Sequence, residues 1–208
     1  MKPTIGIIDY GIGNIFSVQN ALNGLDCRLV VAADPEMLKG VDKLILPGVG
    51  AFPDGMKKLN HLGFIEYLNE FVGSGNYLLG ICLGMQLLLS EGKEGTETKG
   101  LGLIKGSVES LIAASGCRIP HIGWNDVYSY DKKSIELFDD VEVGSSFYFV
   151  HSYHVKPSED LKLVYTNYCN QNIVAAYQKD NLFGVQFHPE KSQKAGLKLL
   201  RNFIELRA

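Results

Sequence analysis

The chain has 208 residues with a hydrophobic share of 46%, a charged share of 21% and 23 glycines, the composition of a globular protein and not of a disordered or fibrous one. A formal net charge of -3 and a pI near 6.0 leave no basic footprint for nucleic acid or for an anionic membrane surface, which turns attention to small-molecule and protein partners. Lys2 precedes only a short apolar run that Asp9 interrupts, so neither a signal peptide nor a spanning helix is expected, and a cytoplasmic location follows.

With no composition break, residues 1–208 read as a single domain. In chain order, Thr4–Ile8 reads as a strand, 14–25 as a helix, 28–31 and 42–46 as strands and 64–72 as a helix. Tyr77–Ile81 is a buried strand that runs through Cys82 into the apolar stretch 85–89. Strands alternating with helices predict an α/β fold, a mixed, mainly parallel sheet with helices on both faces. The charged, glycine-containing stretch 91–99 reads as an exposed loop. From Gly106 onward the pattern changes to short aromatic and β-branched runs at 146–150, 163–168, 173–178 and 182–187, which predict antiparallel or mixed strands in the second half. Leu197, Leu200, Phe203 and Ile204 have the spacing of a helix over 195–206 that packs one face on the sheet. Cys27, Cys82, Cys117 and Cys169 form no Cys-x-x-Cys pair, so neither a zinc site nor a disulfide framework is expected, and at least one of them is open to a chemical role.

Gly80-Ile81-Cys82-Leu83-Gly84 has the form Gly-x-nucleophile-x-Gly where an expected strand meets an expected helix. A sharp strand-to-helix turn crowds the backbone around its central residue, and Gly80 and Gly84 relieve that crowding. Cys82 then stands at a helix N-terminus, where the dipole and free N–H groups favour thiolate. A core cysteine in an apolar strand accounts for the pentapeptide equally well, and a second feature has to decide.

That feature is His188-Pro189-Glu190, which follows the expected strand 182–187 and emerges beyond its C-terminal end, where open α/β sheets bind ligands. Pro189 biases His188 toward an extended backbone, which puts Glu190 on the same side as the His188 ring. A carboxylate on one imidazole nitrogen fixes the tautomer and leaves the other nitrogen to take a thiol proton. Alone, the tripeptide reads as a turn with a solvated acid; beside the elbow, cysteine, histidine and acid suffice for acyl transfer through a thioester. Pro47-Gly48-Val49-Gly50, after the strand 42–46, offers N–H groups for an oxyanion, or else is simply a tight Pro-Gly turn.

Two other patterns compete for attention. Gly11-Ile12-Gly13 opens a helix with Asp34 downstream, but Phe16 stands where a dinucleotide fingerprint needs a third glycine. His151 and His154 have no Cys, Asp or Glu at ligand spacing, so local packing or interface contacts are expected of them and no metal.

The elbow extended through Met85-Gln86, the His-Pro-Glu block and the Pro-Gly-Val-Gly block resemble the signature blocks of the triad-type (class I) glutamine amidotransferases, and the likeness covers the whole chain. Asp9-Tyr10-Gly11-Ile12-Gly13-Asn14, His121-Ile122-Gly123-Trp124-Asn125, Phe149-Val150-His151-Ser152-Tyr153 and Gln186-Phe187-His188-Pro189-Glu190-Lys191-Ser192 resemble, within that class, the glutaminase subunits of imidazole glycerol phosphate synthases.

The resemblance implies hydrolysis of glutamine to glutamate and ammonia by a triad of Cys82, His188 and Glu190, with no cofactor and no metal. It implies that Gly50 and Leu83 lend N–H groups to the oxyanion hole, and that Gln86, Gly50 and main-chain groups near Ser152 bind substrate. Asn14, Trp124, Tyr148 and Lys191 would face the partner. That partner would be a cyclase/synthase subunit, a (β/α)8 barrel that forms a heterodimer with this chain. Ammonia would pass through it to give imidazole glycerol phosphate and an aminoimidazole carboxamide ribonucleotide in histidine biosynthesis. Such a barrel takes about 250 residues, more than this chain holds. The flexible glycines of Gly48-Val49-Gly50 suggest a segment that is misoriented in the isolated chain and rearranges when partner and acceptor bind. A paralogous glutaminase subunit serving amidation of a nucleotide-linked sugar would share every catalytic motif. A glutaminase of the pyridoxal phosphate pathway fits less well, because Pro47-Gly48-Val49-Gly50-Ala51-Phe52 lacks the expected glycine and acidic pattern.

Overall fold

The computed structural model describes residues 2–113, 116–129, 135–142 and 144–207. Its first half alternates β1 (Thr4–Ile8), α1 (Ile15–Asn23), β2 (Arg28–Ala32), β3 (Lys43–Leu46), α2 (Phe52–His61), α3 (Phe64–Gly73), β4 (Tyr77–Ile81) and α4 (Leu83–Leu87). Short strands follow: β5 (Leu89–Gly92), β6 (Thr98–Lys99), β7 (Ile104–Ser110), β8 (His121–Asp126), β9 (Ser146–His151) and β10 (Tyr153–Pro157). The chain closes with β11 (Lys162–Tyr168), β12 (Gln171–Lys179), β13 (Leu182–Val185) and α5 (Gln193–Glu205).

The uninterrupted apolar runs become the middle of the main sheet, where a strand covered on both faces has no polar side to show. All residues of β3 and β13 are buried, and only Tyr77 of β4 is not. The seven-stranded sheet has the order β11-β12-β13-β4-β3-β1-β2. From β13 to β2 neighbours are parallel, while β12 and β11 add antiparallel strands at one edge. Phe52, Met56 and Leu59 of α2, with Phe64, Leu68 and Phe71 of α3, belong to one core cluster. Val18 and Leu22 of α1 join Leu199, Leu200 and Phe203 of α5 in another. The expected mixed, mainly parallel sheet with helices on both faces is therefore present. A second sheet (β10-β7-β5-β6) and the antiparallel ribbon β8–β9 lie beside it.

Two expectations are corrected, and one helix is added. The stretch 91–99 is not simply an exposed loop, for β5 ends in it and β6 lies inside it. Gly92 packs on the Phe52 ring so closely that a Cβ would lie 2.5 Å from it, and the Glu94 carboxylate accepts the Phe52 N–H at 2.7 Å. A helix unmarked in the sequence reading, α2, follows the oxyanion candidate loop. Finally, Cys117 and Cys169 form a disulfide with Cα atoms 5.6 Å apart, because the fold brings the segment before β8 against the turn between β11 and β12. Cys27 and Cys82 are free.

Candidate active site

Parallel β3, β4 and β13 are neighbours, so the segments leaving their C-terminal ends converge. These carry Pro47 to Gly50, Cys82, and Gln186 to Glu190 respectively. Cys82 takes φ 53° and ψ -108°, a positive-φ conformation that a non-glycine residue rarely adopts and that is held here by its surroundings. Its N–H donates to the Val185 carbonyl at 2.8 Å, and its own carbonyl accepts from the Gln86 N–H at 3.2 Å. The flanking glycines are required by close approach: a Cβ on Gly84 would lie 1.8 Å from the Leu46 carbonyl oxygen, and one on Gly80 would lie 2.7 Å from the Met85 nitrogen.

His188 Nδ1 lies 2.8 Å from Glu190 Oε1, and both side chains are almost wholly buried. His188 itself is extended, with φ -101° and ψ 95°, as expected before proline. Glu190 reaches the ring differently from the extended i, i+2 geometry foreseen, since Pro189–Lys191 forms a 3-10 turn. The Ser192 hydroxyl pins this turn by donating to the His188 carbonyl at 2.6 Å and accepting the Tyr148 N–H at 3.0 Å. Burial lowers the His188 pKa, but its hydrogen-bonding and charge interactions with Cys82 and Glu190 outweigh that effect and raise it above the ordinary histidine value. Buried Nε2 has no hydrogen-bond partner among the described residues, which leaves it open to accept a proton. The arrangement can thus take a proton from sulfur at Nε2 and hold it while Glu190 steadies the ring.

Gln186, whose catalytic neighbourhood the sequence did not disclose, is fully buried and donates from Nε2 to Cys82 Sγ at 3.7 Å. It accepts from Gln86 Nε2 at 3.0 Å, and the same Gln86 nitrogen donates to the Tyr153 carbonyl at 3.0 Å. Gln86 is therefore linked to the sulfur through Gln186, with its amide nitrogen committed to protein. On the other side, Cys82 Sγ lies 3.9 Å from the Val150 carbonyl, and Ser152 forms the bend between β9 and β10. The Leu83 N–H is not free: it donates to the Gly48 carbonyl at 3.3 Å. Gly50, at φ 111°, lies exposed on the loop beyond.

Three of the expected partner-facing residues cluster. The Trp124 and Tyr148 rings meet edge to face at 6.1 Å, and the Lys191 ammonium sits 5.8 Å from the Tyr148 ring centre. Asn14 stands at the start of α1, where its side chain accepts the Ser17 N–H at 3.2 Å. Asp34, weighed as a ribose ligand, caps a 3-10 turn by accepting the Glu36 N–H at 2.9 Å. Among the described residues no group of three or more His, Cys, Asp or Glu side chains could hold a metal ion.

A family model described as Glutamine amidotransferase class-I matches residues 6–206. The chain is 48% identical over 201 residues to the imidazole glycerol phosphate synthase subunit HisH of Chlorobium chlorochromatii, covering 96% of this chain and 98% of the relative. It is 45% identical over 206 residues to the same subunit of Moorella thermoacetica, covering 99% and 96%. In fold it is similar to PurLQS of Thermotoga maritima, with a TM-score of 0.75 at 20% identity and 98% of each chain covered. The chain belongs to the class-I glutamine amidotransferases and, within them, to the HisH subunits of imidazole glycerol phosphate synthase.

Proposed function

We propose that Cys82, His188 and Glu190 are the catalytic triad of this glutaminase subunit. The chain supplies ammonia from glutamine to a cyclase partner in imidazole glycerol phosphate synthase, an enzyme of histidine biosynthesis. The observation that carries the triad is the buried 2.8 Å contact between His188 and Glu190 at the same sheet edge as the strained Cys82. His188 Nε2 takes the thiol proton as Cys82 Sγ attacks the side-chain carbonyl carbon of glutamine, placing negative charge on the oxygen. Collapse expels ammonia, which leaves with the proton from His188, and a thioester remains. Water then attacks the thioester while His188 takes its proton; glutamate departs, and sulfur and imidazole are restored. Glu190 keeps the proton-bearing Nδ1 oriented throughout.

Leu83 and Gly50 are the proposed oxyanion donors, with Gly50, Gln86 and the main chain at Ser152 holding the substrate. The bond from Leu83 to the Gly48 carbonyl supports a resting state in which one oxyanion donor is occupied by protein. Rearrangement of the 47–50 loop frees it. The Trp124, Tyr148 and Lys191 cluster, together with Asn14, forms the proposed partner face, and the partner is a (β/α)8 barrel in a cytoplasmic heterodimer without nucleic acid or membrane. The fold of residues 1–208 acts as one glutaminase domain. The deciding experiment is glutamine turnover by the Cys82→Ala variant in complex with the cyclase subunit. Turnover is expected to fall by about 10⁴-fold or more with the complex intact, and retention of activity would defeat the triad.

A further inference from the structure

The inner face of β8 carries two polar side chains, His121 and Asn125, whose partners leave only one arrangement of protons. The Tyr153 carbonyl can only accept, so the proton on His151 resides on Nδ1, 2.8 Å away. In a neutral ring His151 Nε2 must then accept, and its partner at 3.0 Å is His121 Nδ1, which therefore donates. His121 Nε2 is left as an acceptor, and Asn125 Nδ2 stands 3.3 Å from it. The Asn125 amide has no freedom to turn over, since its nitrogen also donates to the Asn167 carbonyl at 2.9 Å and its oxygen accepts the Asp126 N–H at 2.9 Å. A proton added to His121 Nε2 would face the Asn125 donor. Burial lowers the pKa of both histidines, His121 to about 4 and His151 to about 3, in keeping with neutral rings.

The far end of this chain of bonds reaches the nucleophile. The Tyr153 carbonyl that receives His151 also receives Gln86, which holds Gln186 against Cys82 Sγ. Val150, one residue before His151, presents its carbonyl to the same sulfur. The His121 ring is itself fixed in its plane, stacked 3.8 Å from Tyr168 and 4.7 Å from Phe149 between ring centres.

We infer that Asn125, His121 and His151 form a relay of fixed proton order that holds the 150–153 main chain against Cys82, making the two histidines positioning residues for glutamine turnover. The inference rests on the proposed glutaminase site. It separates a directional hydrogen-bonded device from simple filling of space, and two measurements distinguish them. Nitrogen-15 NMR of the wild-type chain should find both rings neutral at pH 7 and both in the Nδ1–H form, which is the minor tautomer of free histidine. An Nε2–H or charged ring at either position overturns the relay.

The second measurement is glutamine kinetics in the complex with cyclase and acceptor. His121→Phe keeps a ring between Tyr168 and Phe149 but removes both hydrogen bonds, and is expected to raise KM for glutamine about tenfold with kcat changed less than about threefold. His121→Asn loses the stack yet keeps a donor where Nδ1 was, and is expected to recover most of that loss. Synthase activity with added ammonium chloride should be unchanged in both. A His121→Phe complex within about twofold of wild type overturns the proposal. If wild-type turnover itself fails, or survives Cys82→Ala, the glutaminase reading falls, while the NMR tautomers still decide the relay. Should His121→Phe not fold, His121→Asn and the wild-type spectra remain decisive.

Discussion

At the scale of single residues, the site depends on atoms that leave no room for substitution. The 1.8 Å approach between a Cβ on Gly84 and the Leu46 carbonyl oxygen involves backbone on both sides, so no side-chain rotation relieves it. Gly84→Ala is expected to cost about 3 kcal/mol in urea unfolding and to displace Cys82. Glu190→Gln changes no shape but removes the charge that favours the His188 imidazolium. Because the folded-state pKa of His188 is raised, its contribution to stability is present below the unfolded value near 6.5 and is lost as pH rises through the higher folded value. In Glu190→Gln the histidine should titrate lower by NMR, and turnover in the complex should fall by roughly 10³–10⁴-fold. Both residues were legible in sequence, since Gly-x-Cys-x-Gly and His-Pro-Glu are local patterns. Gln186 was less so: a buried amide on an apolar strand announces nothing until its neighbour across the sheet is known.

At the scale of elements, the end of α5 is secured by a residue of β3. Lys43 is buried and its ammonium donates to the carbonyls of Phe203 at 3.0 Å and Leu206 at 2.6 Å, and also to that of Ile204. These are helix-terminal acceptors that have no partner within the helix itself. Lys43→Met should therefore lower stability by about 3 kcal/mol and the melting temperature by roughly 6–12 °C. Glutamine turnover at 25 °C should be unchanged, because Lys43 begins the strand whose other end faces the site. Element boundaries show why the sequence spoke unevenly. The apolar runs of β1 and β4 coincide with their predicted limits, whereas β5 and β6 are masked by charges whose role, such as Glu94 capping the start of α2, depends on a distant segment. Helix α2 has the right spacing in Phe52, Met56 and Leu59, but Pro53 and Gly55 in its first turn obscure the helical pattern.

At the scale of the whole molecule, the proposed resting state, in which the Leu83 N–H is held by the Gly48 carbonyl, ties activity to assembly. Isolated chain should hydrolyse glutamine at least about 10²-fold more slowly than the complex loaded with acceptor, the size expected for one missing oxyanion donor. Equal rates in the two states would remove the occupied-donor account. The sequence by itself determined the parallel α/β core, the elbow at Cys82, the His188 and Glu190 pair and the family, because each rests on short-range periodicity or contiguous residues. Only the tertiary structure decided that Cys117 meets Cys169, that Gln186 touches Cys82, that His121 passes its hydrogen bond to His151 and that Leu83 is occupied. Those contacts join residues far apart in the chain, and no local pattern specifies which strand ends and turns the sheet order will bring side by side.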